Sequence, residues 1–237
     1  SGYANLGDRP TSLGDINATE ANALQTVTSA IFYETWEGAS PEAQWQNYAG
    51  SGEISVVSVA DSYTGGKILR VGNNTGNDQA WLTHKRLIPF DPAKTYKITA
   101  RVRRTAGTGT VYIGFAGVAA DGTTAVNITG TASYISSQHY HAANGLNPGA
   151  TWTEYTGYTK GYGSPNGTAT LGTVNTPGVM HANARYLRVL LLVNYTNAAG
   201  TTEVDAVTVE TVANNWAEIN SMPTRFGDVI PGAGTGL

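Results

Sequence analysis

The side chains in this sequence that could do chemistry are suited to holding a ligand more than to transforming one. The 237 residues include 13 Tyr and 5 Trp against 4 Phe, so most large rings carry a polar edge beside an apolar face and can lie half exposed. Such a ring covers the C–H face of a pyranose, while planar polar groups take its hydroxyls. The candidates are Trp81, His84, Arg101, Arg103, Tyr112, His139, Tyr140 and His141. Arg101 and Arg103 share one face of an alternating segment, and Tyr112 stands opposite the apolar face of Val111, Ile113 and Phe115. Guanidinium groups would suit carboxylate-bearing sugars through bidentate contacts. Trp36 and Trp152, taken singly, read as core.

The remaining chemistry is thinner. His139 and His141, at i and i+2, fall on one strand face and would supply two ligands to a transition metal if His84 or His181 supplied a third. An ordinary polar strand face explains the same spacing. A glycosidase needs two carboxylates about 5–9 Å apart, yet the 17 acids are spread along the chain and nothing pairs two of them. No G-x-S-x-G, phosphate-loop or H-E-x-x-H motif occurs. The absence of Cys removes thiol catalysis, disulfides and cysteine-type zinc sites. The expectation is a protein that is not an enzyme.

Net charge is −3 and 13% of residues are charged, which gives no basic field for phosphates, so nucleic acid is excluded as a partner. No segment approaches the ~18 apolar residues of a membrane span, so membrane insertion is not expected. Five N-x-[ST] matches, at Asn17, Asn73, Asn127, Asn166 and Asn194, read as chance in a chain rich in Thr, Asn and Gly.

The elements that must position the candidates are almost all strands. Only 18–30 reads as a helix, with Ala21, Leu24, Val27 and Ile31 at helical spacing behind Asn17 or Thr19 as caps. Alternating segments broken by Gly, Pro and Asn follow at 32–38, 54–59, 67–72, 80–90, 95–104, 110–119, 133–141, 151–159, 186–195 and 203–212. In 95–104, Tyr96, Ile98, Ala100 and Val102 separate cleanly from Lys97, Thr99, Arg101 and Arg103, the mark of a strand with one buried and one wet face. The run at 186–195 is apolar on both faces and belongs mid-sheet, and Asp121-Gly122 is a hairpin signal. The fold class is all-β, a two-sheet antiparallel β-sandwich of the jelly-roll kind, with a short N-terminal helix and extended connectors at both ends. Its divisions are 1–31, 32–212 and 213–237.

The order WEG (36–38), GGKILRVGN (65–73), GATWTEYTGY (149–158), RYLRVLLLV (185–193) and GTTEVDAVTVE (200–210) resembles the jelly-roll carbohydrate-binding modules of the family 4/9/22 type. Their first-strand pattern is FE-x-G, and WEG departs from it. The resemblance implies a structural Ca2+ between the first and last strands, with Glu37 and Asp205 as ligands and Glu34 as the substitute if the register shifts. Ca2+ takes several oxygens, carboxylate and carbonyl alike.

The chain also says nearly the same thing twice. Tyr3–Ile16 and Trp216–Val229 share five identities (Ala4/Ala217, Pro10/Pro223, Thr11/Thr224, Gly14/Gly227, Asp15/Asp228) and four like-for-like apolar exchanges in fourteen positions. A repeat separated by 213 residues is a connector rather than a stacked unit. With INATE following the first copy, these ends resemble the joints between modules of phage tail fibres and tail-tip proteins. That resemblance implies a receptor-binding module of a phage-like particle, binding a bacterial surface glycan (capsule or lipopolysaccharide). It would be located in the virion or outside the cell and trimeric in its parent fibre, where avidity offsets weak single-site binding. The alternatives are a structural spacer and an accessory module of a polysaccharide-degrading enzyme.

Overall fold

The structure, a computed structural model, describes residues 29–126, 128, 138–164 and 166–212. Over these the chain forms β1 (Ser29–Glu34), a 3-10 turn (Pro41–Gln44), β2 (Trp45–Ala49), β3 (Ile54–Ser58), β4 (Lys67–Val71), β5 (Ala80–His84), β6 (Ile88–Pro89), β7 (Thr95–Gly107), β8 (Thr110–Val118), β9 (Ala125–Val126), β10 (His139–Leu146), β11 (Thr153–Tyr162), β12 (Gly178–Met180), β13 (Tyr186–Tyr195) and β14 (Gly200–Val212). One sheet runs β12-β11-β7-β14-β4-β3, with β1 also on β14; the other runs β10-β8-β13-β5-β2, with β6 on β13 and β9 on β8. All pairs are antiparallel except β11 with β12. This is the β-sandwich jelly roll that the strand pattern predicts. We refer to the sheet holding β7 and β14 as the arginine sheet and to its partner as the aromatic sheet.

Period-two alternation sets the layers. Tyr96, Ile98, Ala100 and Val102 of β7 and Val204, Val207 and Val209 of β14 face Val111, Ile113 and Phe115 of β8 and Leu187, Val189, Leu191 and Val193 of β13 across one core. The run at 186–195 does lie mid-sheet, between β8 and β5, where both faces are covered. Asp121-Gly122 sits in the tight link from β8 to β9, with Gly122 at φ 74° and Ala119 N–H donating to Thr124 O. Strands β2, β9 and β12 carry no alternating signal of their own and form because a neighbouring edge is available.

The helix expected over 18–30 falls outside the described residues except at its end, where Ser29 and Ala30 are extended and pair with Thr211 and Glu210 of β14. Of the two tryptophans read as core, Trp36 is fully buried against Trp45. Trp152 is instead half-buried on the outside of the arginine sheet, 4.5 Å from the Arg103 guanidinium. The connectors at 1–28 and 213–237, and the segment 133–137 of the expected strand 133–141, lie outside the described residues. No described helix is long and apolar enough to cross a membrane.

Candidate functional site: an aromatic cleft on one sheet face

Strand β5 shows how the cleft is made. Ala80, Leu82 and His84 point into the sandwich, so Trp81 and Thr83 must point out of the aromatic sheet. Register then places partners beside Trp81: Leu192 of β13 pairs with it, Tyr112 of β8 pairs with Leu192, and Asn144 of β10 pairs with Tyr112. One row thus crosses four strands, about 14 Å at the usual strand spacing. Tyr140 packs on Tyr112 at 4.8 Å between ring centroids, and Tyr195 meets Tyr112 edge-on at 5.0 Å. These side chains, with Gln138 and Ala169, line a cleft of about 290 Å3.

The polar groups of the cleft are all neutral. Asn144 Nδ2 donates to Ala169 O at 2.9 Å, tying the 169 segment to the row. Gln138, at the entrance to β10, has φ 43°, a left-handed conformation that a non-glycine residue adopts only when its surroundings impose it. Burial pushes the Tyr140 phenol well above its ordinary value, with the neighbouring Tyr112 and Tyr195 adding to the effect. The phenol therefore stays a neutral donor and acceptor. A larger cleft of about 390 Å3, beside Ile31, Ile88 and Tyr96, offers less for a sugar, because its one phenol is held by Pro89 O and Asp91 N.

Of the eight candidate ligand residues, Trp81, Tyr112 and Tyr140 come together here; the other five do not. His84 faces inward, packed edge-on against Phe32 at 4.7 Å and Trp45 at 5.1 Å, with Nδ1 accepting from Arg86 N–H. Burial, then the charges of Arg86, Arg188 and Lys85, lower it to about 4. His139 and His141 are fully buried on the side of β10 opposite Tyr140. His141 bonds Thr159 Oγ1 at 2.6 Å and Thr168 O at 2.9 Å, while His139 Nε2 accepts from His181 N–H at 3.2 Å. A Cβ on Gly167 or Gly178 would come within 2.4 Å of these imidazoles, so a glycine-bearing loop lies directly over them. Their nitrogens hold that loop in place, and among the described residues no three His, Cys, Asp or Glu side chains converge on a metal position.

Arg101 and Arg103 do share a polar face, but that of the arginine sheet, on the opposite side of the sandwich from the cleft. Arg101 pairs with Glu154 beneath the Tyr63 ring, its guanidinium carbon 3.6 Å from the ring centroid. Arg103 binds Glu203 at 2.6 Å and Asp61 through both terminal nitrogens, and Arg70 closes on Glu203 from the other side. With every guanidinium charge answered by a carboxylate, this face is not built to read acidic sugars.

The carboxylates that the resemblance offers to calcium also anchor backbone. A bulge in β14 between Asp205 and Thr208 inserts Ala206 at φ 47° and turns Asp205 outward beneath the loop 59–66. There Asp205 accepts from Tyr63 N, Thr64 N, Thr64 Oγ1 and Ala206 N. Glu37 accepts from Gly66 N and Lys67 N at 2.7 Å each, bonds that hold its carboxyl below the usual range, and Glu34 accepts from Trp36 N. Both Asp205 oxygens are thus on donors, whereas Glu37 and Glu34 each use Oε1 alone.

Tyr195, Asn144, Gln138 and Leu192 belong to the cleft and went unread in the sequence. Period two put each on a face, but only the register between strands could put those faces side by side.

No family model matches the chain, and no curated protein matches it in sequence. In structure it is similar to the Clostridium thermocellum N-terminal endo-1,4-beta-D-xylanase 10B CBM22-1-GH10 modules complexed with xylohexaose (14% identity, 79% of this chain and 29% of that one, TM-score 0.50). It is also similar to the CBM22-1 xylan-binding domain from Paenibacillus barcinonensis Xyn10C (12%, 78% and 96%, TM-score 0.48). A third is the family 11 carbohydrate-binding module of the cellulosomal cellulase Lic26A-Cel5E of Clostridium thermocellum (15%, 78% and 97%, TM-score 0.44). At these identities the likeness is one of fold: the chain is a jelly-roll β-sandwich of the architecture used by carbohydrate-binding modules.

Proposed function

We propose that residues 29–212 are a non-catalytic module that binds a neutral polysaccharide chain across the outer face of the aromatic sheet. The observation that carries this is the row from Trp81 through Leu192 and Tyr112 to Asn144, with Tyr140 and Tyr195 stacked on Tyr112. Rings there cover sugar C–H faces, and the amides and phenols take hydroxyls. None of the described residues lining the cleft is charged, which favours neutral sugars over the carboxylate-bearing ones that Arg101 and Arg103 would have suited. The fold shared with modules solved with xylohexaose supports an extended sugar chain as the ligand.

The biological setting we infer from the repeated ends: a receptor-binding module of a phage-like tail or fibre, engaging a bacterial capsule or lipopolysaccharide glycan as a trimer. The repeat of Tyr3–Ile16 at Trp216–Val229 supports it. An accessory module of a polysaccharide-degrading enzyme fits the cleft equally well, and the fold shared with xylanase modules favours that reading. Binding of the purified chain to arrays of bacterial surface and plant cell-wall glycans separates the two. Saturable binding to a bacterial glycan, competed by the free sugar, supports the receptor reading, and a preference for plant glycans supports the accessory one. Silence on both arrays leaves a spacer. A mass in solution corresponding to one chain would remove the trimer.

A further inference from the structure

On the outer face of the aromatic sheet, the Trp81 indole Nε1 and the Thr83 hydroxyl are buried and have no hydrogen-bond partner. Trp81 is 6% exposed and Thr83 0%. They are neighbours at i and i+2 on the outward side of β5, and register places Thr83 beside Leu190, with Gly114 next in that row. The other unpartnered indole nitrogens, of Trp36 and Trp45, lie inside the sandwich, their rings 5.3 Å apart, so they face no ligand. A buried hydroxyl without a partner calls for a physical explanation. A valine would fill the same volume on a strand without that penalty. At Thr83 the hydroxyl therefore demands a reason that neither packing nor strand propensity supplies.

We propose that Thr83, beside the cleft and two positions along β5 from Trp81, is a specificity-determining residue, its hydroxyl exchanging a hydrogen bond with an unsubstituted hydroxyl of a bound neutral sugar while the Trp81 indole N–H donates to an adjacent sugar oxygen. The inference rests on the glycan-binding reading above and adds to it the position where hydroxyl is read. Gln46, opposite Thr83 on β2 and exposed, accepts from the Tyr48 hydroxyl, which accepts from Arg188; rotation of Gln46 out of that contact would admit the sugar, and rotamer changes of this kind are common on binding. Thr83 is 0% exposed before that rotation, so the opening it makes is tight against a methyl or acetyl group. A site that hydrogen-bonds a hydroxyl rejects an analogue lacking it far more strongly than an apolar pocket rejects an added methylene. The module accordingly selects chains that carry a free hydroxyl there over their O-acetylated or O-methylated forms.

The test uses the full chain with a panel of neutral hexasaccharides (xylohexaose, cellohexaose, maltohexaose) and bacterial neutral glycans, followed by calorimetry on the best binder. Thr83→Val is expected to bind about tenfold more weakly than wild type, the loss of one well-placed bond, while melting at the same temperature or higher. Thr83→Ser, which keeps the hydroxyl, is expected to bind as wild type does. A Thr83→Val protein that binds within twofold of wild type overturns this inference and leaves the cleft standing. Wild-type protein that binds nothing on the panel, together with a Tyr112→Ala variant that is equally silent, overturns the glycan reading itself.

Discussion

Asp205, in the last strand, accepts hydrogen bonds from both the backbone N–H and the hydroxyl of Thr64, at 2.8 Å each, although 141 positions separate the two residues. The bond pair fixes the loop 59–66 on the arginine sheet. That loop presents Tyr63 over Arg101 and Asp61 to Arg103.

Asp205→Ala strands the donors of Tyr63, Thr64 and Ala206 beneath the loop. Bonds to a charged acceptor contribute roughly 1.5–3 kcal/mol each and add incompletely, so unfolding in urea is expected to show a loss of about 3 kcal/mol. Chelation reports separately on calcium. With both Asp205 oxygens already on donors, EDTA is expected to leave the wild-type melting temperature unchanged. A drop that added Ca2+ reverses would return a metal to Asp205.

The two sheets should separate in binding measurements. Tyr112→Ala removes the ring against which Tyr140 and Tyr195 stack and is expected to weaken glycan binding at least tenfold. Arg101→Ala, on the opposite face, is expected to leave affinity unchanged. The reverse pattern would move the site to the arginine sheet.

Glu203 is 1% exposed and sits between Arg103 and Arg70. Removing one partner of a buried pair costs about 3–5 kcal/mol because the remaining charge loses its compensation. Arg103→Ala is expected to fall in that range, nearer its lower end because Arg70 stays, with no effect on binding. A destabilisation below 1 kcal/mol would mean that water reaches Glu203 in the folded protein.

Acid should weaken the fold before the carboxylates titrate. Burial is the main reason that His84 and His141 are both held at about 4, whereas an unfolded imidazole sits near 6.5. Below that value the unfolded chain takes up protons that the folded one refuses. Stability is therefore fully present above about pH 6.5 and declines as the pH falls toward 4, by roughly 3 kcal/mol per imidazole at the lower end. Unfolding free energies at pH 7, 6 and 5 check this, and a flat profile would show that the imidazoles are solvated.

What the sequence determined by itself is the layering. Side chains alternate with period two whatever the neighbouring strand does, so the inward face of β7, the central place of 186–195 and the outward direction of Tyr112 could be read directly. The same rule put Arg101 and Arg103 together. Tertiary structure decided which strand lies beside which, a matter of register and connection that no local pattern encodes. That is why Trp81, Tyr112, Asn144 and Tyr195, drawn from four strands, form one cleft, while the two arginines face away from it on the other sheet. It is also why Asp205 and Glu37 meet a loop: a bulge at Ala206 and a turn from residue 59 to 66 bring N–H donors to their oxygens, and a carboxylate accepts from whichever donors arrive.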